Sequence, residues 1–183
     1  MHHGLAEIAQ TAHRLNPALE TQGPVTFRPA AAVLDDWSAW CTGVWIPILY
    51  PALQRALDQA RAGRLRELGE LDLELSDRLN PEAIRHSTLA GRRLLDAAGS
   101  LRGEKWPARF RELIESEHAE GHLLSVHALR AAAFHGTDPQ VAGSYLYQEA
   151  VGGLFPNHPR LVGECVEGAM RLERSARPAL RVA

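Results

Sequence analysis

The sequence predicts an all-α protein, a single domain built as a bundle of about eight or nine helices. Apolar residues recur at helical spacing in every long segment, and no segment shows the sustained alternation of a half-buried strand. Proline, glycine and capping residues divide the chain into lengths typical of helices. Because 183 residues are enough for one well-packed domain and few for two, residues 1–183 are predicted to form one domain.

The first half of the chain contains four predicted helices. Residues 1–17 hold a short amphipathic helix, and Ala30 to Cys41 is predicted to be helical. The apolar stretch from Trp45 to Pro51 is punctuated by proline, so we expect a kink or tight turn that leads into a helix ending near Arg61. A fourth helix covers residues 65–79.

The second half begins at Asn80-Pro81, a cap followed by proline in the first helical turn. The helix that follows carries small residues on one face and is predicted to close at residues 99–103. Further helices are predicted from Pro107 to Glu117 and over residues 161–172. Residues 175–183 are predicted to form a flexible basic tail.

Glu115 to Leu154 is the predicted centre of the bundle. From His122 to Phe134 apolar residues surround the helix axis, which is typical of a helix buried on all sides. His135-Gly136 is a helix stop, and Thr137 to Gln140 has the composition of a capping box with proline in the first turn. We therefore expect two buried helices joined by a short turn.

Composition and charge exclude several functional classes. A formal net charge of -2 and a pI near 6.5 give no reason to expect nucleic acid or a membrane as partner. Two distant cysteines, Cys41 and Cys165, form neither a disulfide framework nor a metal quartet, which suits a reducing cytosol. There is no apolar run of transmembrane length and no signal-peptide core at the start. The expected location is cytoplasmic.

One stretch has the spacing of metal ligands. Glu115 and His118 form the Glu-x-x-His pattern of di-iron bundles, and Glu117 and His122 lie close in sequence. Such a site needs a second Glu-x-x-His, which the chain lacks, and a helix that continues through Gly121. The alternative is a solvated helix end with one buried, hydrogen-bonded histidine.

Other catalytic patterns are absent from the sequence, including phosphate-binding loops, Gly-x-Ser-x-Gly, Ser-x-x-Lys and Cys-x-x-Cys. His127 and His135 have the setting of core or interface residues rather than ligands. The indoles of Trp37, Trp40 and Trp45 are predicted to lie in the core or in an interface. This inventory favours an interaction protein over an enzyme.

Four stretches, at residues 71–95, 122–136, 142–147 and 160–161, resemble one family, the urease accessory protein UreF family. Residues 71–95 are similar to its acidic helix followed by a small-residue run and Gly-Arg-x-Leu-Leu. Residues 122–136 resemble its histidine-led central helix, and residues 142–147 resemble its Ala-x-x-Tyr-Leu helix, with Arg160-Leu161 at the expected distance beyond. The family's Leu-Pro-x-Gly-Gly-Phe opening and its late Gly-Gln signature are missing, so the chain is identified as a divergent member.

The resemblance implies a UreF-like helical adaptor without catalytic activity. Such a protein forms a homodimer and recruits UreD/UreH and the nickel-carrying GTPase UreG to apo-urease for nickel insertion, with no cofactor of its own. Candidate partner-interface residues are Arg85, Gly91, Arg92, His122, Tyr145 and Arg160. The alternatives are a helical-bundle metal-binding protein or enzyme that uses Glu115, His118 and His122, and a generic binding bundle.

Overall fold

The computed structural model describes residues 4–98, 105–155 and 157–180, with side chains to residue 176 in the last range. These residues form an all-α fold, which confirms the predicted fold class. The helices are α1 (Leu5–Leu15), α2 (Val33–Trp40), α3 (Tyr50–Arg61), α4 (Leu65–Ser76), α5 (Pro81–Ala98), α6 (Trp106–Glu115), α7 (Leu123–Ala133), α8 (Asp138–Leu154) and α9 (Val162–Leu180). Short 3₁₀ turns lie at Leu19–Thr21 and Pro159–Leu161.

The centre of the fold is α7, as the sequence predicts. Every residue from Gly121 to Arg130 is buried. Helix α7 packs mainly against α3 and α5 and also contacts α8, while α8 packs against α1 and α9. The turn between α7 and α8 contains the predicted capping box, in which Thr137 and Gln140 bond reciprocally. Each buried Leu or Val of α7 adds about 2 kcal/mol of hydrophobic stabilisation.

The stretch from Trp45 to Pro51 does not form the predicted kink or tight turn. A π-helical segment, Cys41–Leu49, joins α2 to α3, so helical structure continues from Val33 to Arg61. Pro47 has no N–H to give to a regular α-helix, and its carbonyl accepts a bond from Arg78 Nη2 at 3.0 Å. The wider π turn accommodates the proline without ending the helix.

Aromatic packing holds this segment in the core. The fully buried Trp45 ring stacks on Trp40 at 6.3 Å and on Tyr145 at 5.7 Å between ring centres. The Trp37 indole N–H donates to the carbonyl of Cys165 at 2.7 Å, which ties α2 to α9. All three indoles are buried, so the core alternative is the correct one for them.

Several predicted helix boundaries differ from the structure. Helix α2 begins at Val33 and not at Ala30, and α4 ends at Ser76 and not at residue 79. Helix α6 ends at Glu115, two residues before the predicted end, and Glu117 has a φ of 60°, which no α-helix accommodates. Helix α9 continues to Leu180, well beyond the predicted residue 172. The flexibility of residues 175–183 stays a prediction, and residues 181–183 lie outside the described range. So does the predicted helix closure at residues 99–103.

In the described part of the chain, none of the helices combines the length and the apolar character needed to span a bilayer.

Candidate functional site

The predicted metal ligands are not brought together. Because α6 ends at Glu115, the helical spacing of Glu115, His118 and His122 does not describe their positions in space. His118 is exposed, with Nδ1 3.0 Å from the Ser116 hydroxyl, whereas His122 is completely buried. Among the described residues, no group of three or more His, Cys, Asp or Glu side chains is arranged to hold a metal ion. Glu115 to His118 lie at an exposed helix end, and His122 is buried with its Nε2 2.9 Å from the Ser76 hydroxyl.

A buried carboxylate organises the segment after α6. We call residues Ser116–His122 the α6–α7 loop. One oxygen of Asp72, on α4, accepts bonds from the backbone N–H groups of Glu120 and Gly121, each at 2.7 Å. The other oxygen accepts from the His122 N–H at 3.0 Å. Three charge-assisted bonds at 0% exposure make Asp72 the anchor of this loop.

His122 adds a second connection to α4. Its Nε2 lies 2.9 Å from the hydroxyl of Ser76, and its Nδ1 has no hydrogen-bond partner among the described residues. Burial lowers the pKa of His122, and the nearby carboxylates of Asp72 and Glu120 offset part of that effect. The ring is therefore neutral near pH 7 and acts as a structural contact.

Helix α5 closes the other side of the α6–α7 loop. A Cβ atom on Gly91 would lie 2.0 Å from the carbonyl oxygen of Gly121 and 2.7 Å from the backbone of His122, so only glycine permits this approach. The hydroxyl of Ser87 accepts a bond from the Leu123 N–H at 3.3 Å. The small residues of α5 therefore allow this helix to pack closely against the start of α7.

The outward side of α5 presents a stripe that we call the α5 face, formed by Arg85, Leu89 and Arg92. Their spacing of four and three residues places them on one side of the helix. The Leu89 side chain is 47% exposed between the two arginines, which are also exposed. Arg92 reaches the carbonyl of Glu120 at 3.4 Å, so the face adjoins the α6–α7 loop.

A second buried carboxylate lies in α8. Glu149 accepts bonds from the N–H groups of Thr26 and Phe27 at 3.0 Å, and from the hydroxyls of Thr26 and Tyr145 at 2.8 and 3.0 Å. Burial raises the pKa of Glu149, and these donors counteract part of the rise. Burial and the adjacent carboxylate raise the pKa of Tyr145, which stays a neutral donor. These bonds hold Thr26 and Phe27, in the connector that precedes α2, against α8.

A third buried cluster surrounds His127. Its Nε2 lies 3.2 Å from the Val141 carbonyl, and its Nδ1 lies 2.8 Å from the amide nitrogen of Gln148. A neutral ring protonated at Nε2 satisfies both contacts. The Gln148 amide oxygen accepts from Asn16 at 2.8 Å, which joins the end of α1 to α8. Burial lowers the pKa of His127 to about 4.

The six predicted interface residues fall into two groups. Gly91, His122 and Tyr145 are buried within the chain, so they support the fold and are not accessible to a partner in this conformation. The arginines are exposed: Arg85 and Arg92 lie on the α5 face, and Arg160 lies in the 3₁₀ turn after α8. A contact between these arginines and a partner stays a prediction.

The sequence reading did not single out Asp72 or Glu149 as anchors. Asp72 lies on the apolar face of α4, between Leu68 and Leu75. Glu149 lies in α8, where nearly all of the residues next to it are buried. A carboxylate at a core position of an amphipathic helix is a sequence signal for a buried polar anchor.

The cysteines have no features of a reactive site. Cys41 and Cys165 are both buried, and burial raises the pKa of the first to about 12 and of the second to about 11. Both thiols therefore stay protonated at neutral pH and are poor nucleophiles.

The comparisons with known proteins address the family directly. The model of the UreF family matches residues 30–160, well over half of the chain. Comparisons with curated proteins and with solved structures gave no match. The matched range contains residues 71–95, 122–136 and 142–147, which carry the sequence resemblance and lie mainly in α4, α5, α7 and α8. The chain therefore belongs to the UreF family, a family of urease accessory proteins.

Proposed function

We propose that this protein is a non-catalytic adaptor in urease maturation, which recruits UreD/UreH and the nickel-carrying GTPase UreG to apo-urease. The observation that carries this proposal is the family match over residues 30–160. Nickel is the cargo of the assembly and is carried by the partners, so the adaptor needs no resident metal or other cofactor. It acts in the cytoplasm, where its two buried thiols stay reduced.

The α5 face supports this proposal as a partner-binding surface. The face combines an exposed leucine, which offers apolar contact, with two exposed arginines, and arginine is enriched at interfaces and at their hot spots. The neighbouring α6–α7 loop is held by Asp72, so a partner would meet a preformed surface and lose little entropy in ordering it.

The adaptor is further proposed to work as a homodimer. A permanent dimer of this kind buries on the order of 2,000 Å² or more. Among the described residues, the large apolar side chains that are exposed are Leu34, Leu89, Phe134, Phe155 and Leu172, and such an interface would cover some of them.

The experiment is co-purification with UreD and UreG, followed by size-exclusion chromatography with light scattering. We expect a complex whose mass corresponds to two copies of this chain with both partners. A monomer that elutes apart from both partners would refute the adaptor function.

A further inference from the structure

A wide cleft opens at one end of the bundle, where the C-terminal ends of α3 and α7 meet the N-terminal ends of α4 and α6. Its volume is about 950 Å³, at the upper end of the range for small-molecule pockets. Apolar groups form much of its wall: Ala60, Leu65, Trp106, Leu129, Ala132 and Ala133. A cleft of this size and character accommodates several apolar side chains at once.

Positive charge lies along one side of the cleft. Lys105 and Arg109 are exposed at the start of α6, and no carboxylate of the described residues lies within ion-pair distance of either. Arg61 differs, because it pairs with Asp138 at 2.7 Å and donates to the Gly136 carbonyl at 2.8 Å. The described residues that line the cleft therefore carry excess positive charge, although the whole chain has a formal net charge of -2.

The start of α6 adds two further features that favour an acidic occupant. Lys105 caps the helix without a side-chain bond to its first N–H groups, so among the described residues this cap gives no acceptor to the positive end of the helix dipole, which favours a carboxylate. The indole N–H of Trp106, which lines the cleft, is buried and has no acceptor among the described residues. A buried donor without an acceptor is destabilising, and an acceptor on an occupant that reaches the indole N–H would remove that cost.

We infer that this cleft is a docking site for an acidic segment of a partner protein in the urease accessory assembly. Apolar side chains of the segment pack on Leu129 and Ala132, and its carboxylates pair with Lys105 and Arg109. The inference is based on complementarity of two kinds. The apolar floor of the cleft matches apolar residues of the segment, and the two cations, which pair with no described carboxylate, match its acidic residues. This inference rests on the proposed adaptor function and adds the surface and the chemistry of one partner contact.

The test combines charge reversal with a matched control. The double variant Lys105→Glu/Arg109→Glu is compared with Arg171→Glu/Arg174→Glu, which makes the same charge change at exposed positions of α9. Apo-urease, UreD and UreG are each titrated against the full-length variants at low and high salt. Circular dichroism melting checks that both variants fold like wild type.

We expect the cleft variant to bind one of the three partners at least tenfold more weakly than wild type, with little remaining dependence on salt. The α9 control keeps wild-type affinity, and the conservative variant Lys105→Arg/Arg109→Lys retains binding. Equal affinity of the cleft variant and wild type for all three partners would overturn the docking site while leaving the adaptor function intact. A wild-type protein that binds none of the three would overturn both.

Two other outcomes also overturn the docking site. If charge reversal in the cleft splits a wild-type dimer without changing the affinity for any partner, the occupant is a second copy of this chain. If the cleft variant and the α9 control lose affinity equally, the effect comes from overall charge and not from the cleft.

Discussion

Two carboxylates buried in the fold act as anchors for backbone segments that lack regular hydrogen bonding. Asp72 accepts three backbone N–H groups of the α6–α7 loop, and Glu149 accepts two from the connector before α2. Loop N–H groups buried without acceptors would each cost free energy, so these side chains replace the bonds that a helix would supply. They determine where the two segments lie.

The substitution Asp72→Asn is expected to lower the free energy of unfolding by about 3 kcal/mol, because an amide offers one acceptor oxygen where the carboxylate offers two. Urea unfolding monitored by circular dichroism measures the change. Asp77→Asn, at an exposed position just after α4, is the control and should shift the free energy by less than about 0.5 kcal/mol. Similar small losses in both variants would show that Asp72 does not anchor the loop.

The buried His127 is expected to make stability depend on pH. Its pKa in the folded state is about 4, below the value of 6.5 for an unperturbed histidine, so the unfolded chain binds the proton more tightly. The contribution of His127 to the free energy of unfolding is fully present above pH 6.5. It is lost as the pH falls toward 4, and the total loss is about 3 kcal/mol. Urea unfolding at a series of pH values from 7 to 4 measures the slope.

Two variants test whether His127 causes this pH dependence of the free energy of unfolding: His127→Gln removes the buried imidazole, and His158→Gln is the control. His127→Gln should show a flatter decline between pH 6.5 and 4, although burial of His122 leaves part of the slope. His158 is exposed, and its variant should follow the wild-type curve. A His127→Gln curve parallel to wild type would contradict a neutral, buried His127.

At the residue scale, the sequence indicated which side chains are buried better than what they do. The burial of Trp37, Trp40 and Tyr145 agrees with their helical spacing. The roles of Asp72 and Glu149 were missed because their backbone donors lie 48 and 122 residues away in the chain. The spacing of residues within one helix does not predict contacts between residues so far apart in the chain.

At the scale of elements, the contact between α5 and the α6–α7 loop depends on a missing side chain. Gly91→Ala places a Cβ 2.0 Å from the Gly121 carbonyl oxygen and is expected to destabilise the protein by about 2 kcal/mol. Gly168→Ala in α9 meets nothing within 4 Å and should stabilise the helix by about 0.5–1 kcal/mol. Thermal unfolding of both variants compares the two, and a neutral or stabilising Gly91→Ala would contradict the close approach.

The α5 face is expected to carry partner affinity. Leu89 and Leu34 are both 47% exposed, which makes Leu34→Glu a matched control for Leu89→Glu. Leu89→Glu should weaken binding of a urease-assembly partner at least tenfold, because it places a carboxylate in the apolar centre of the face. Titration of UreD and UreG against both variants measures the effect. Partner affinities that are the same for Leu89→Glu and wild type would remove the α5 face from the interface.

Most helices were predictable because their signals are local. Apolar spacing, the Asn80-Pro81 start and the capping box at Thr137 each act within one or two turns. The π-helical segment was not predictable, since its stacking partner Tyr145 lies about a hundred residues away. The early end of α6 has a similar cause: Asp72 captures the N–H groups of the following loop.

At the scale of the whole molecule, the family was predictable although its most recognisable opening is missing. The modest similarities extend over about residues 18–172, and the UreF family model matches residues 30–160 of that range. The stretches at residues 71–95, 122–136 and 142–147 lie mainly in α4, α5, α7 and α8. Helices α4 and α5 contact the α6–α7 loop, and α7 packs against α5 and contacts α8. The surfaces that meet partners were less predictable, because three of the six candidate residues are buried.

The central claim is that this chain supports the insertion of nickel into urease. The most direct measurement is the nickel content and activity of urease purified from cells that co-express the urease subunits and accessory proteins, with and without this chain. The adaptor function predicts nickel-poor, inactive urease when the chain is omitted and nickel-loaded, active enzyme when it is present. Equal nickel content and activity in the two preparations would contradict it.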